Sequence, residues 1–168
     1  MNRMVLALAG VALLLSACGK SGGADQPANT TEPASAPTAP TAGPTDAQKK
    51  AMLATLPAAY QGADLANGET KFAVCRACHT LTSDGTNLTG PNLWGIFGRK
   101  AGTKADFNYS DGMKAAGWTW DADHLDKWIT NPRGVLPGTK MTFVGMQDPK
   151  DRTDLIAYLR VSTAAPGS

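Results

Sequence analysis

The sequence predicts an all-α fold in which short helices are joined by long loops. Apolar residues recur at three- and four-residue spacings in several segments, which is the period of a helix with one buried face. The stretches between them are rich in Gly and Pro and show no alternation of apolar and polar residues, so they predict loops rather than strands. The length of 168 residues suits one domain with additional segments.

Residues 1–17 predict an export signal. Asn2 and Arg3 give a positive start, and an apolar run follows, "MVLALAGVALLL", that is too short for a comfortable membrane span. The run leads into "LSAC", which resembles the lipobox of bacterial lipoproteins. In that family the signal is cut before the cysteine, so the resemblance implies that Cys18 becomes a lipidated N-terminus outside the cytoplasm. The alternative is a plain secretory signal that happens to contain a cysteine.

Residues 18–57 predict a lipidated N-terminus followed by a flexible linker. The stretch "GKSGGADQPANTTEPASAPTAPTAGPTDAQ" is made of small residues and prolines with almost no large apolar side chains. Such a composition cannot bury enough surface to offset the entropy lost on ordering. As a tether, this segment would let a small domain sample a wide area of membrane surface.

The folded domain is expected over residues 58–168, with four helices. The first runs through "GADLANGETKFAVCRACH", the second starts at Ser110 and stops at Gly117, and the third starts at Asp121 and ends at Pro132. The last lies in "DPKDRTDLIAYLRVST". The loops between them are long for so small a domain, which predicts that a group other than protein fills part of the core. No basic cluster favours nucleic acid as a partner.

Cys75, Cys78 and His79 form the pattern Cys-x-x-Cys-His, which is the attachment signature of c-type haem. Attachment needs two thiols one helical turn apart to add to two vinyl groups, and a neighbouring histidine whose ring reaches the iron. A structural zinc site needs four ligands, and only His124 remains. A thioredoxin-like redox pair would need a βαβ pattern, and a structural disulfide leaves the histidine unexplained. The sequence therefore predicts one covalently attached haem c.

Methionine is the usual second axial ligand of electron-transfer cytochromes, and three downstream methionines are candidates. Met113 lies in a short predicted helix, where packing explains it. Met146 follows Met141 within one loop and can simply line the pocket. Met141 follows Pro137 and Gly138 in "LPGTKM", an extended loop that can bring a thioether to the iron. Spacing favours Met141 without excluding the other two.

From about Gly62 to Leu159, the chain resembles a class I cytochrome c of the mitochondrial and α-proteobacterial type. The matching segments are, in order, "CRACH", "GPNLWGIFGRKAG", "FNYSDGMKAAGWTW", "NPRGVLPGTKMTFVGM" and "RTDLIAYL". The resemblance implies a cytochrome c fold, in which the N- and C-terminal helices cross and short helices and long loops wrap around a covalent haem.

The same resemblance assigns roles to residues of the site. The axial ligands fall on His79 and Met141, and the carbonyl that accepts the histidine's other ring proton falls on Pro91, a bond that fixes the tautomer. Where many members have a tyrosine near the methionine sulfur, this chain has Trp128, and where many have an asparagine facing the haem it has Met113. The residues that interact with the haem propionates or compensate their charge fall on Arg99, Tyr109, Trp120 and Thr139.

Axial ligation by histidine and methionine fills both positions of the iron and suits one-electron transfer. Together, the cytochrome c resemblance and the lipobox resemblance therefore imply a monomeric, membrane-tethered electron carrier that is not an enzyme. It would accept electrons from a quinol:cytochrome c oxidoreductase and donate them to a terminal oxidase or another respiratory acceptor, on the periplasmic side of the bacterial inner membrane. Surface lysines would steer docking to acidic partners. The candidates are Lys100, Lys104, Lys127 and Lys140.

Two other functions compete with the electron carrier. The first is an enzymatic role, either as a haem peroxidase or as a haem domain that serves a dehydrogenase. A peroxidase needs an open sixth position and a distal base, for which His124 is the candidate. A gas-binding sensor also needs an open or easily displaced ligand. The sulfur–iron absorption band of the oxidised protein would distinguish the electron carrier from both.

Overall fold

Helices form the regular structure of residues 43–164, the part of the chain that the computed structural model describes. Within this range the β structure is limited to one isolated bridge, between Lys100 and Thr119. The expected all-α fold is thus confirmed. The predicted export signal, Cys18 and most of the predicted linker lie outside the described residues. The helices are α1 Asp46–Leu53, α2 Ala58–Gln61, α3 Leu65–Arg76, α4 Asp111–Lys114, α5 Ala122–Thr130, α6 Pro132–Val135 and α7 Pro149–Ser162.

Every described helix except α2 begins where a side-chain oxygen accepts a free backbone N–H group of the first turn. Ser110 accepts from the backbone of Met113 at the start of α4, and Asp121 accepts from the backbone of His124 at the start of α5. The third predicted helix was expected to end at Pro132, and this is wrong, because α5 ends at Thr130. Asn131 is extended, with φ −161°, and Pro132 begins the separate short helix α6. Proline suits this position because its fixed φ matches a first helical turn.

The crossing of α3 and α7 forms the centre of the fold. Gly68 lies where a Cβ atom would overlap the backbone carbonyl of Asp154, so the absence of a side chain lets the two helices approach closely. The rings of Phe72 and Tyr158 pack beside this contact, with centroids 5.9 Å apart. Leu155 of α7 is completely buried. The expected crossing of the first and last helices of the domain is therefore present.

The folded part of the chain begins earlier than expected. Residues 46–57, here called the strap, comprise α1 and the turn after it, and they pack on α7 and α2. Met52, Leu53 and Leu56 are buried, and Arg160 of α7 donates to the hydroxyl of Thr55 at 3.1 Å. The expected flexible linker therefore does not extend to residue 57. The partner that buries the strap lies about a hundred residues along the chain, so local composition gave no sign of it.

None of the helices within residues 43–164 is both long and apolar enough to cross a membrane.

Candidate functional site

A cavity of about 250 Å³ lies between the helices and the long loops. Its walls are largely apolar, with Leu93, Ile96 and Leu155 among them. All nine residues that the sequence assigned to the haem line this one cavity, although they come from four separate stretches of chain. They are Cys75, Cys78, His79, Pro91, Arg99, Tyr109, Trp120, Thr139 and Met141.

The end of α3 carries the two cysteines into the cavity. The backbone N–H groups of Cys78 and His79 both donate to the carbonyl of Cys75 at 3.0 Å, which continues the helical turn beyond Arg76. This turn places the two thiols and the imidazole in one wall. No disulfide joins Cys75 and Cys78, so both sulfurs are available to bond a cofactor. Burial, with a smaller contribution from Cys78, raises the pKa of the unattached Cys75 thiol to about 11.

The ring of His79 is held by the loop that follows. Its Nδ1 lies 2.7 Å from the carbonyl oxygen of Pro91. A carbonyl can only accept, so Nδ1 donates and Nε2 keeps its lone pair free for a metal. Burial lowers the pKa of His79, against the opposing effect of the Pro91 bond, and this favours the neutral ring. A Cβ atom at Gly90 would overlap the imidazole, so a glycine is needed there.

Met141 is the methionine whose sulfur accepts a hydrogen bond in the part of the chain that the structure describes. The indole Nε1 of Trp128 donates to its Sδ at 3.1 Å. Its backbone N–H donates to the hydroxyl of Thr139 at 3.3 Å. Met113 also lines the cavity, from α4. Met146 does not line it, and its backbone bonds to Ile129 instead.

The second histidine lies apart from the cavity. His124 bonds through Nδ1 to the carboxylate of Asp121 at 2.8 Å and stacks on the ring of Trp118. The zinc alternative required it beside Cys75 and Cys78, and the fold keeps them apart. Residues 43–164 contain no group of three or more His, Cys, Asp or Glu side chains that could hold a metal ion.

The family model for cytochrome c matches residues 65–163, which is more than half of the chain. This chain belongs to the cytochrome c family. It is 45% identical to cytochrome c2 of Rhodomicrobium vannielii over 109 residues, covering 65% of this chain and 87% of the relative. It is also 45% identical to cytochrome c of Gibberella zeae over 103 residues, 61% of this chain and 97% of the relative. Cytochrome c2 iso-2 of Magnetospirillum fulvum is 45% identical over 95 residues, 56% of this chain and 98% of the relative.

Membership of the cytochrome c family establishes the cofactor and the class of function. Proteins of this family bind a covalently attached haem c and carry electrons rather than catalyse reactions. This protein is accordingly a monohaem electron carrier, of the class I type that the cytochromes c2 represent. The expected cofactor, the fold and the absence of an enzymatic role are confirmed by these relatives.

The charged groups of this cytochrome fit a haem with buried propionates. The guanidinium of Arg99 donates to the carbonyls of Trp94 and Asn92 at 2.9 and 3.2 Å. Burial lowers the pKa of Arg99 and raises that of Tyr109, and each group opposes the shift of the other. Among residues 43–164, no carboxylate forms an ion pair with Arg99. A half-buried cation held only by carbonyls is a suitable partner for a carboxylate of the cofactor.

One of the four candidate docking lysines lines the cavity of this cytochrome. Lys140 lines it, and its Nζ donates to the carbonyl of Asn108 at 2.6 Å. The other three candidates are not among the lining residues: Lys100, Lys104 and Lys127. Val74 also lines the cavity and is 62% exposed, so the rim combines one lysine with exposed apolar surface.

Two further residues shape the haem site without having been singled out as site residues. Gly90 makes room for His79, and its signal in the sequence was its place directly before Pro91. Asn92 is completely buried, and its amide donates to the hydroxyl of Thr80 at 2.8 Å, which ties the loop after His79 to the loop that carries Pro91. Nothing local in the sequence distinguished this asparagine from an exposed turn residue.

Proposed function

We propose that this cytochrome is a lipid-anchored electron shuttle of the bacterial periplasm, with the haem attached to Cys75 and Cys78 and its iron held by His79 and Met141. The observation that carries the proposal is that these four side chains line a single cavity. Electron transfer needs an iron whose surroundings change little between the two oxidation states. A site with both axial positions filled from rigid elements meets that need.

The residues of the site would hold the iron's surroundings fixed. His79 keeps its proton on Nδ1 in the bond to Pro91 and presents Nε2. Met141 receives one hydrogen bond at sulfur from Trp128, which orients the thioether and leaves another lone pair for the metal. Haem, when bound, supplies the iron that takes up and releases one electron. The apolar walls exclude water, so little solvent has to reorganise when the charge changes.

The membrane attachment would come from Cys18 and the segment after it. The "LSAC" sequence supports lipidation at Cys18 after removal of residues 1–17. Because the strap is folded, the tether would comprise residues 19–45, which as a flexible coil would reach roughly 30 Å. This arrangement would hold a monomeric domain on the periplasmic side of the inner membrane, within reach of membrane-embedded redox complexes.

The partners that fit this position are a quinol:cytochrome c oxidoreductase as donor and a terminal oxidase or other respiratory acceptor. Lys140 at the cavity rim supports docking to an acidic surface, and Val74 adds an apolar contact beside it. The anchor itself raises the effective concentration of both partners. Steering by many lysines, which a freely diffusing carrier would need, is then less important.

Substitution of Met141 tests the ligation. Met141→Ala should open the sixth position, so that the reduced protein binds carbon monoxide, the oxidised protein loses its sulfur–iron absorption band and the reduction potential falls. Met146→Ala is the matched control, because Met146 lies in the same loop without lining the cavity. If Met146→Ala opens the iron and Met141→Ala leaves the spectrum unchanged, the assignment of the ligand is wrong.

A further inference from the structure

Three tryptophans form a continuous aromatic chain, here called the tryptophan array, made of Trp118, Trp120 and Trp128. The ring centroids of Trp118 and Trp120 are 5.8 Å apart, and those of Trp120 and Trp128 are 5.6 Å apart, with each pair packed edge to face. The chain has four tryptophans in all, so three of the four lie in one contiguous cluster. Ordinary core packing explains each ring alone, but it does not explain why the array connects the haem cavity to the protein surface.

The array runs from the cavity to the protein surface. At its inner end, Trp128 donates to the sulfur of Met141, the proposed axial ligand, while Trp120 is itself a cavity residue. At its outer end, Trp118 is partly exposed and stacks on His124, with an interplanar angle of 11° and centroids 6.1 Å apart. Trp120 and Trp128 are only 8% and 7% exposed. A solvent-facing indole is therefore connected by ring contacts to the haem ligand.

We propose that the tryptophan array conducts electrons outward from the haem to Trp118 when a strong one-electron oxidant, such as a small inorganic radical, attacks the domain surface. The oxidant removes one electron from Trp118. Trp118 would then take an electron from Trp120, Trp120 from Trp128, and Trp128 from the reduced haem iron of the holoprotein. No bond forms or breaks. The net change is that the oxidant gains one electron and the iron becomes ferric, to be reduced again by the normal electron supply of the carrier.

The hydrogen bonds of the array suit transfer of an electron without a proton. The Nε1 of Trp118 is buried and has no hydrogen-bond partner within residues 43–164, so no described group stands ready to take its proton when the ring is oxidised. Trp128 donates to a thioether, which is a weak acceptor. Electron tunnelling slows exponentially with distance. Short steps between rings in contact are therefore faster than one long step from the surface to the iron.

Pulse radiolysis of the reduced holoprotein tests the proposal, with azide radicals as the one-electron oxidant. Indole radicals should form first and then decay in a concentration-independent step that matches the oxidation of the haem. Trp118→Phe keeps an aromatic ring in place but removes the oxidisable indole at the surface end of the array. It should abolish most of this fast step. Trp94→Phe is the matched control, because it also removes one tryptophan but leaves the array intact. It should leave the fast step unchanged.

A second measurement tests whether the reduced haem protects Trp118 from lasting oxidation. After exposure to the radicals, mass spectrometry should find oxidised Trp118 in the ferric protein and little of it in the ferrous protein. The proposal is overturned if Trp118→Phe leaves the fast step intact, if Trp94→Phe removes as much of it, or if the ferrous state protects nothing. The inference rests on Met141 as the iron ligand. A missing sulfur–iron band in the unmodified protein would show failure of that assignment independently of the Trp118 comparison.

Discussion

Trp128 gives the proposed axial sulfur a partner that can donate a hydrogen bond but cannot accept one. A tyrosine, which many relatives of this type have near the sulfur, could also accept a bond from another group and so connect the sulfur to a wider polar network. A donor at sulfur withdraws electron density from it. The sulfur then donates less to the iron, which favours the reduced state over the oxidised one.

Trp128→Phe should therefore lower the reduction potential and strengthen the sulfur–iron bond, because the sulfur then donates more electron density to the iron. The substitution removes one neutral hydrogen bond, which contributes about 0.5 to 1.5 kcal/mol, and keeps an aromatic ring in the same space. Potentiometric titration and the intensity of the sulfur–iron band measure the two effects. Trp94→Phe serves as the control, since no described bond joins Trp94 to Met141. An unchanged or higher potential in Trp128→Phe would contradict the role of this hydrogen bond.

At this scale, local spacing was sufficient for some site residues and not for others. Cys75, Cys78 and His79 lie in one helical turn, so their pattern alone predicts what they attach. Met141 needed the family resemblance, because three methionines satisfied the spacing. The importance of Gly90 depends on where the His79 ring lies, which only the folded loop determines.

At the scale of elements, one buried carboxylate joins the two crossing helices. Asp154 of α7 accepts hydrogen bonds from the backbone of Asp64 at 2.9 Å and from the amide of Asn67 at 2.7 Å, and it pairs with Lys150. Burial would raise the pKa of Asp154, but the bonds from Lys150 and Asn67 outweigh it and lower the pKa below 3.8. The ionised form is therefore stabilised by folding.

This shift fixes the sign of a pH dependence. A depressed pKa in the folded state adds stability that is fully present above the unfolded value of 3.8 and is lost as the pH falls through the folded value. Asp154→Asn should lower the free energy of unfolding at neutral pH by about 1 to 3 kcal/mol. The difference from the parent should shrink as the pH falls below 3.8.

Denaturant unfolding at a series of pH values measures this difference in the free energy of unfolding between Asp154→Asn and the parent. The control is Asp46→Asn, since the Asp46 side chain is 99% exposed. A difference between Asp154→Asn and the parent that stays constant down to the lowest pH would contradict the assignment.

The strap is a second element whose contribution can be measured. Met52→Ala should lower the free energy of unfolding by about 2 to 5 kcal/mol, because it leaves a space in a buried contact with α7. The absorption spectrum of the haem should not change, since no strap residue lines the cavity. Lys50→Ala on the exposed side of α1 is the control and should change stability by less than about 0.5 kcal/mol. Equal stability of the two variants would show that the strap contributes nothing to the fold.

Helix starts were easier to predict than helix partners. Ser110 and Asp121 begin α4 and α5 because each cap is a local interaction. The strap was missed because its residues are buried by α7, which lies far along the chain. α6 was missed because a proline after an extended asparagine can either end one helix or begin another.

At the scale of the whole molecule, the proposed anchor makes a clear prediction. Cys18→Ala should move the protein from the membrane fraction to the soluble fraction without altering the haem spectrum, because the helices of residues 43–164 include no membrane span. Fractionation at high salt measures how the protein is distributed between the membrane and soluble fractions. Cys78→Ala is a useful contrast, since it should disturb haem attachment and leave membrane attachment intact. A Cys18→Ala protein that stays in the membrane at high salt would contradict lipid anchoring through this residue.

The position of the strap decides where mechanical load would enter the domain. If the chain is held at Cys18, any pull on the protein arrives at Thr45 and passes first into α1. Met52 and Leu53 are buried and would transmit it to α7, which crosses α3 closely at Gly68. No strap residue lines the haem cavity. Tension on the anchor would thus enter the domain through helix packing rather than through the walls of the haem cavity.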